Sequence, residues 1–72
     1  MFMAVGRPAM GETAVHVIED AMTHEEAAKK AALEILEEQH EDWNDNIFID
    51  VVTDQHFEYQ TDFVFAIEDL KA

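Results

Sequence analysis

From Phe57 to Ile67 the chain alternates. Phe57, Tyr59, Phe63, Phe65 and Ile67 fall on one side, with Thr61 between them, and Glu58, Gln60 and Asp62 fall on the other. Period two over this length, in aromatic and β-branched residues, predicts a strand with one buried face. From Asn46 to Asp54 a second alternation sets Ile47, Ile49 and Val51 against Phe48, Asp50 and Val52. Thr53-Asp54-Gln55-His56 joins these two strands as a β-hairpin with a loop of roughly 3–4 residues. A shorter alternation over Thr13–Glu19 sets Val15 and Val17 against His16 and predicts another strand.

Between the short strand and the hairpin the period changes. Thr23-His24-Glu25-Glu26 has the form of a capping box, in which the Thr23 hydroxyl accepts from the Glu26 amide and the Glu26 carboxylate reaches back. A helix is predicted from there to about Asp42. At about 100° per residue, Ala28, Ala31, Ala32, Ile35, Leu36, Gln39 and Trp43 share one face, and Glu26, Lys30, Glu34, Glu37 and Glu41 the opposite one. Asn44 or Asn46 can close it in the left-handed conformation. Gly6, Pro8 and Gly11 punctuate residues 1–12, which read as an N-terminal arm whose order the sequence leaves open. Residues 13–72 form a single domain ending in a tail from Glu68.

The element order is β-α-β-β, an α+β fold. A right-handed crossover makes the first two strands run the same way. The long last strand fits between them, antiparallel to both, so a three-stranded antiparallel sheet of order 1-3-2 is expected with one helix packed on one face. This resembles half of a ferredoxin-like fold. A single helix leaves the other sheet face open, with His16, Ile18, Phe48, Asp50, Val52, Glu58, Gln60, Asp62, Val64 and Ala66 on it. Phe48, Val52 and Val64 form an apolar patch there, and an apolar patch of this kind has an occupant. The N-terminal arm, a second copy of the chain and another partner are the three choices.

Charge changes the picture more than composition does. Seventeen acids against four bases give a net charge of −13 at neutral pH, while apolar residues make up 49% of the chain, a share normal for a folded domain. A chain of 72 residues buries only about 60% of its unfolded surface. With no cysteine it has no disulfide or thiolate metal site to compensate, so self-association gains weight. Absence of cysteine fits a cytoplasmic setting. Met1-Phe2-Met3-Ala4-Val5 is too short for a signal peptide or a membrane span.

Twelve acids and no lysine or arginine lie between Ala31 and Leu70. Glu34, Glu37, Glu38 and Glu41 project from one side of the helix, with neighbours about 5–6 Å apart at Cβ, close to the phosphate spacing of a nucleic-acid strand. Asp42, Asp45, Asp54 and Glu58 extend the array into adjoining segments. Such carboxylates suit a basic groove made for DNA or RNA, with counterion release and strong salt dependence. The bland alternative is a solvated helix face. The sign of the charge argues against direct nucleic-acid binding, and neither membrane nor cofactor is expected.

Other chemistry finds little support. His24-Glu25-Glu26-Ala27-Ala28 and His40-Glu41-Asp42-Trp43-Asn44 lack the second histidine of a zincin motif. Asp42-x-Asn44-x-Asn46 begins like a calcium loop, but Ile47 stands where glycine is needed and Thr53 where the bidentate glutamate belongs. No metal site is expected. There is no serine or cysteine nucleophile and no glycine-rich phosphate loop, and no acid pair stands out from the rest. No catalytic residue is assigned, and the chain reads as a non-enzyme.

In length, lack of cysteine and the base-free run from Ala31 to Leu70, the chain resembles the small acidic inhibitors that phages encode, among them nucleic-acid mimics and anti-CRISPR proteins. The resemblance is one of class and carries over no residue. It implies an inhibitor or decoy, with a nucleic-acid-binding or nuclease complex of the host cytoplasm as partner. The alternative from the residues themselves is a small homodimeric structural or accessory module joined through the open sheet face.

Overall fold

The fold is that of a computed structural model, which describes residues 1–9, 11–38 and 46–71. It is α+β, with strands β1 (Phe2–Pro8), β2 (Ala14–Ile18), β3 (Ile47–Asp54) and β4 (Tyr59–Phe65) and helices α1 (His24–Glu37) and α2 (Ile67–Lys71). The order β2-β1-β3-β4 makes one four-stranded sheet with every neighbouring pair antiparallel. The chain is thus a hairpin and a helix, followed by a second hairpin and a second helix. The first strand of each hairpin is central.

The expected 1-3-2 sheet is corrected in three ways. Residues 2–8, read as an arm, are a central strand. Ala14–Ile18 pairs with them and not with the last strand. That last strand, Tyr59–Phe65, is at the edge. Gly6 and Pro8 look like strand breakers, yet each has a place. Pro8 closes the strand opposite Ile47. A Cβ on Gly6 would stand 2.5 Å from Ile49 Cδ1, 3.0 Å from the Phe48 carbonyl oxygen and 3.2 Å from Ile35 Cδ1. Glycine is there because a side chain would meet the Ile49 side chain and Phe48 carbonyl of β3 first, and Ile35 of α1 next.

Helix α1 starts as its sequence directs. The Thr23 hydroxyl accepts from the Glu26 amide at 3.1 Å, while the Glu26 carboxylate accepts from the Met22 amide at 3.3 Å, one residue before the expected partner. Its alanine face is buried: Ala27, Ala28, Ala31 and Ala32 have no exposure, and Ile35 follows on the same side. Small side chains let the helix settle close on β1 and β3. The helix ends at Glu37 with Glu38 as its cap. The expected extension to Asp42, including Gln39 and Trp43, lies outside the described residues. Ile67, read as the end of the last strand, and residues 68–71, read as part of a tail, form α2, which closes the core with Ile67 and Leu70.

Two backbone irregularities decide which side chains face the helix. Between Val5 and Gly6 the β1–β3 register slips by one residue, so β3 carries an extra residue at Asp50. This is a β-bulge. Beyond it the alternation changes phase, so Ile47, Ile49 and then Val52, not Val51, point into the core. On β4, Asp62 adopts a positive φ of 65° beside the bulge, a conformation aspartate tolerates better than most residues. Phe63 and Phe65 stay on the helix side, stacked with centroids 6.5 Å apart. Tyr59 turns outward opposite Thr53 and is 67% exposed. The expected buried row therefore splits at Asp62.

Candidate functional site: an acidic helix end and an uncovered sheet face

Glu34, Glu37 and Glu38 lie together on the exposed side of the last turn of α1, where no basic residue stands. The helix dipole is negative at this end, so three acids here are of the wrong sign. Glu34 and Glu38 also form a like-charge pair four residues apart. Among the described residues the ion-pair partner of Glu34 is His16 of β2, whose Nδ1 lies 3.5 Å from its carboxylate. Lys30, a turn earlier, is engaged elsewhere. It donates to the Asp20 carbonyl and lies 3.6 Å from the Glu26 carboxylate.

Asp54 and Glu58 belong to a different place. They flank the β3–β4 turn, where the Phe57 amide donates to the Asp54 carbonyl and the Asp54 amide donates to the Glu58 carbonyl. The Asp54 carboxylate accepts from the amides of His56 and Glu58 at 2.8 and 3.0 Å. His24, at the start of α1, donates through Nε2 to the Glu58 carbonyl at 3.0 Å and lies 3.6 Å from Asp54. Burial raises the Asp54 pKa, but the two amides and the fields of His24 and His56 outweigh it and hold the carboxyl below its ordinary value. Asp54 is thus occupied in building a turn. The two acid groups sit at opposite ends of α1, about 20 Å apart at 1.5 Å per residue, and form no single array. Glu41, Asp42 and Asp45 lie outside the described residues.

The second feature is the sheet face turned away from the helices. Side chains paired across strands share a face, so the register defines its rows. Val17, Met3, Thr53 and Tyr59 make one; Val15, Val5, Val51 and Thr61 the next; Arg7, Phe48 and Val64 the last. Neither helix covers them. Phe48 and Val64 stand where the sequence suggests, but Val52 is fully buried on the other side, because the bulge reverses its phase. His16 and Ile18 are also turned inward, and Val15 and Val17 outward, the reverse of the expectation. The N-terminal segment cannot cover this face, since it is part of the sheet.

At the margin of this face is Phe57, with φ of 66° and 86% exposure. Left-handed backbone is normal for glycine or asparagine and costly for a bulky residue. The strain holds an aromatic ring in solvent beside Met1 and Met3, with which Phe57 lines a shallow recess of about 230 Å³. No sequence signal distinguishes Phe57 here, because strain is a property of the fold. Val15 and Val17 were legible as one side of a strand, but not which side.

Between the β1–β2 loop and the end of α1 is a cleft of about 340 Å³ lined by Gly6, Thr13, His16, Ile35 and Glu38, among others. The Nε2 of His16 is sealed from solvent, and its Nδ1 is turned to Glu34. Among the described residues no group of three or more His, Asp or Glu side chains could hold a metal ion, and no helix is long and apolar enough to cross a membrane. Comparison of the chain with protein-family models, curated proteins and solved structures finds no match.

Proposed function

We propose that this chain is a non-catalytic acidic binding protein, acting in the cytoplasm as an inhibitor or decoy that docks on a basic, nucleic-acid-binding surface of a partner protein. The observation that carries this reading is the end of α1. Glu34, Glu37 and Glu38 are exposed there without a base in the turn, at the negative end of the helix. Each acid so placed costs about 0.3–1 kcal/mol of helix stability. A basic surface brought against them relieves the repulsion and releases counterions from both sides. The turn acids Asp54 and Glu58 play at most a distant part, since the first is held by the turn it builds.

The test starts with the immobilised protein in cell lysate at low salt, with nuclease added. The expected result is one nucleic-acid-binding protein retained after nuclease and released by salt. The purified target should then lose labelled nucleic acid as this protein is added. A Glu37→Lys/Glu38→Lys variant with an unchanged circular dichroism spectrum should neither capture nor displace. Equal capture by that variant, or no displacement, overturns the reading.

A further inference from the structure

Among the described residues, the face opposite α1 is a surface whose chemistry contradicts its exposure. In an antiparallel sheet with one side in water, outward positions are expected to be polar. Here the outward positions include Met3, Val15, Val17, Phe48, Tyr59 and Val64, and all of these but Phe48 are 48–67% exposed. Among the regularly paired outward positions the one charged residue is Arg7. Its guanidinium lies 3.5 Å from Asp50, which the bulge supplies, and 4.9 Å from the Phe48 ring centroid. The face is therefore largely apolar, with Arg7 and Asp50 offsetting each other and Asp62 beside Thr61 as the further acid, on a chain of net charge −13.

That contrast selects the occupant. Nucleic acid and anionic lipid are repelled by the chain as a whole, and a basic partner is drawn to the acids, which lie elsewhere. A second copy presents an identical, largely apolar face, which is what a two-fold interface requires. The dimensions agree. Four strands about 4.8 Å apart, five to eight residues long at about 3.3 Å per residue, give a face of roughly 19 by 23 Å. Two such faces, with the side chains that rise from them, remove on the order of 1,000 Å² from water, the lower bound for a specific interface. Phe57 adds to this at the margin, and its strained backbone gives a reason for its exposure.

We propose that two copies associate face to face through this sheet, forming a four-layer helix–sheet–sheet–helix dimer that is reversible because its area is small. The inference does not rest on the acidic-decoy reading, and the two respond oppositely to salt. Docking on a basic surface weakens as salt rises, whereas self-association strengthens, because screening removes repulsion between two anionic chains.

The test is sedimentation velocity over a concentration series, at low and at high salt. The expected mass rises with concentration from the 8.3 kDa of one chain toward twice that value, with a dissociation constant several-fold lower at high salt. A Val17→Lys/Val64→Lys variant charges the apolar face while lowering the net negative charge of the chain, so a loss of dimer does not come from added overall repulsion. It should be monomeric throughout with its circular dichroism unchanged. Phe57→Gly should raise the melting temperature and weaken the dimer at least three-fold. A monomer at every concentration and salt overturns the proposal, as does a dimer that the double-lysine variant leaves intact. An unchanged dissociation constant for Phe57→Gly removes Phe57 from the contact. A monomeric protein whose double-lysine variant loses the basic partner assigns the face to that partner and overturns the dimer.

Discussion

The imidazole of His16 on β2 stands 3.5 Å from the Glu34 carboxylate on α1, and its second nitrogen, Nε2, is buried with no hydrogen-bond partner among the described residues. One side of the ring ties strand to helix through a half-exposed carboxylate, an interaction worth at most about 1 kcal/mol. The other side loses water and gains nothing. Replacing the ring by a hydrocarbon of similar reach removes both effects. His16→Leu is therefore expected to change the unfolding free energy by less than about 1 kcal/mol in urea titration. A loss above about 2 kcal/mol would show that Nε2 has a partner after all.

Gly6 has no room for a side chain between β3 and α1. A methyl group there meets the Ile49 and Ile35 side chains and the Phe48 carbonyl. Gly6→Ala should cost about 1–3 kcal/mol, the usual range for overpacking. Ile49→Val removes the nearest atom, Cδ1, and should recover part of that loss. A double-mutant cycle by chemical denaturation measures the coupling. Additive effects would place the strain on the backbone carbonyl instead.

Acids at the end of α1 are expected to be a burden on the isolated protein. Glu37→Lys and Glu38→Lys should each raise stability by about 0.3–1 kcal/mol at low salt. Together they should raise the melting temperature by several degrees, since about 1 kcal/mol shifts a domain of this size by roughly 4–8 °C. In about 0.5 M salt the gain should shrink, because exposed charges are screened over a few ångströms. Thermal melts of wild type and variants at two salt concentrations check both statements.

Asp54 gives the chain a pH dependence of definite sign. Its folded pKa lies below the ordinary 3.8, so the carboxylate contributes stability that is present above that value and lost as pH falls through the lower, folded value. The difference in melting temperature between wild type and Asp54→Asn should be present at about pH 5, where His24 and His56 carry their charge, and close below about 4. The comparison with the variant matters, because protonating the other acids relieves repulsion and moves both proteins the opposite way. A difference that persists to about pH 2 would mean that the carboxylate charge plays no part in the turn.

Local signals in this sequence were legible where one residue type has one strong reason. Thr23 and Glu26 announced the start of α1, and Ala28, Ala31, Ala32 and Ile35 its buried side. The hairpin turn at Asp54 and the α+β class followed from period alone. Sheet order was less legible, because Gly6 and Pro8 carry the same letters in a loop as in a strand that a helix presses upon. The inward and outward sets failed where the backbone departs from strict alternation. One extra residue at Asp50 buries Val52, and the left-handed Asp62 turns Tyr59 outward. Of the acids singled out, Glu34, Glu37 and Glu38 are grouped as their helical spacing implied. Asp54 stands apart, since only its fold shows that its carboxylate is committed to two backbone amides.

The place of β1 in the middle of the sheet also bears on how the chain is made. Phe2–Pro8 can pair with Ala14–Ile18 as soon as both have been synthesised, but their other edge stays open until Ile47–Asp54 has followed. For that interval the nascent hairpin shows an unpaired row of amides and carbonyls beside Met3 and Val5, the kind of edge that invites wrong partners. The same geometry means that deleting residues 2–8 would remove a central strand and leave two unconnected edges behind.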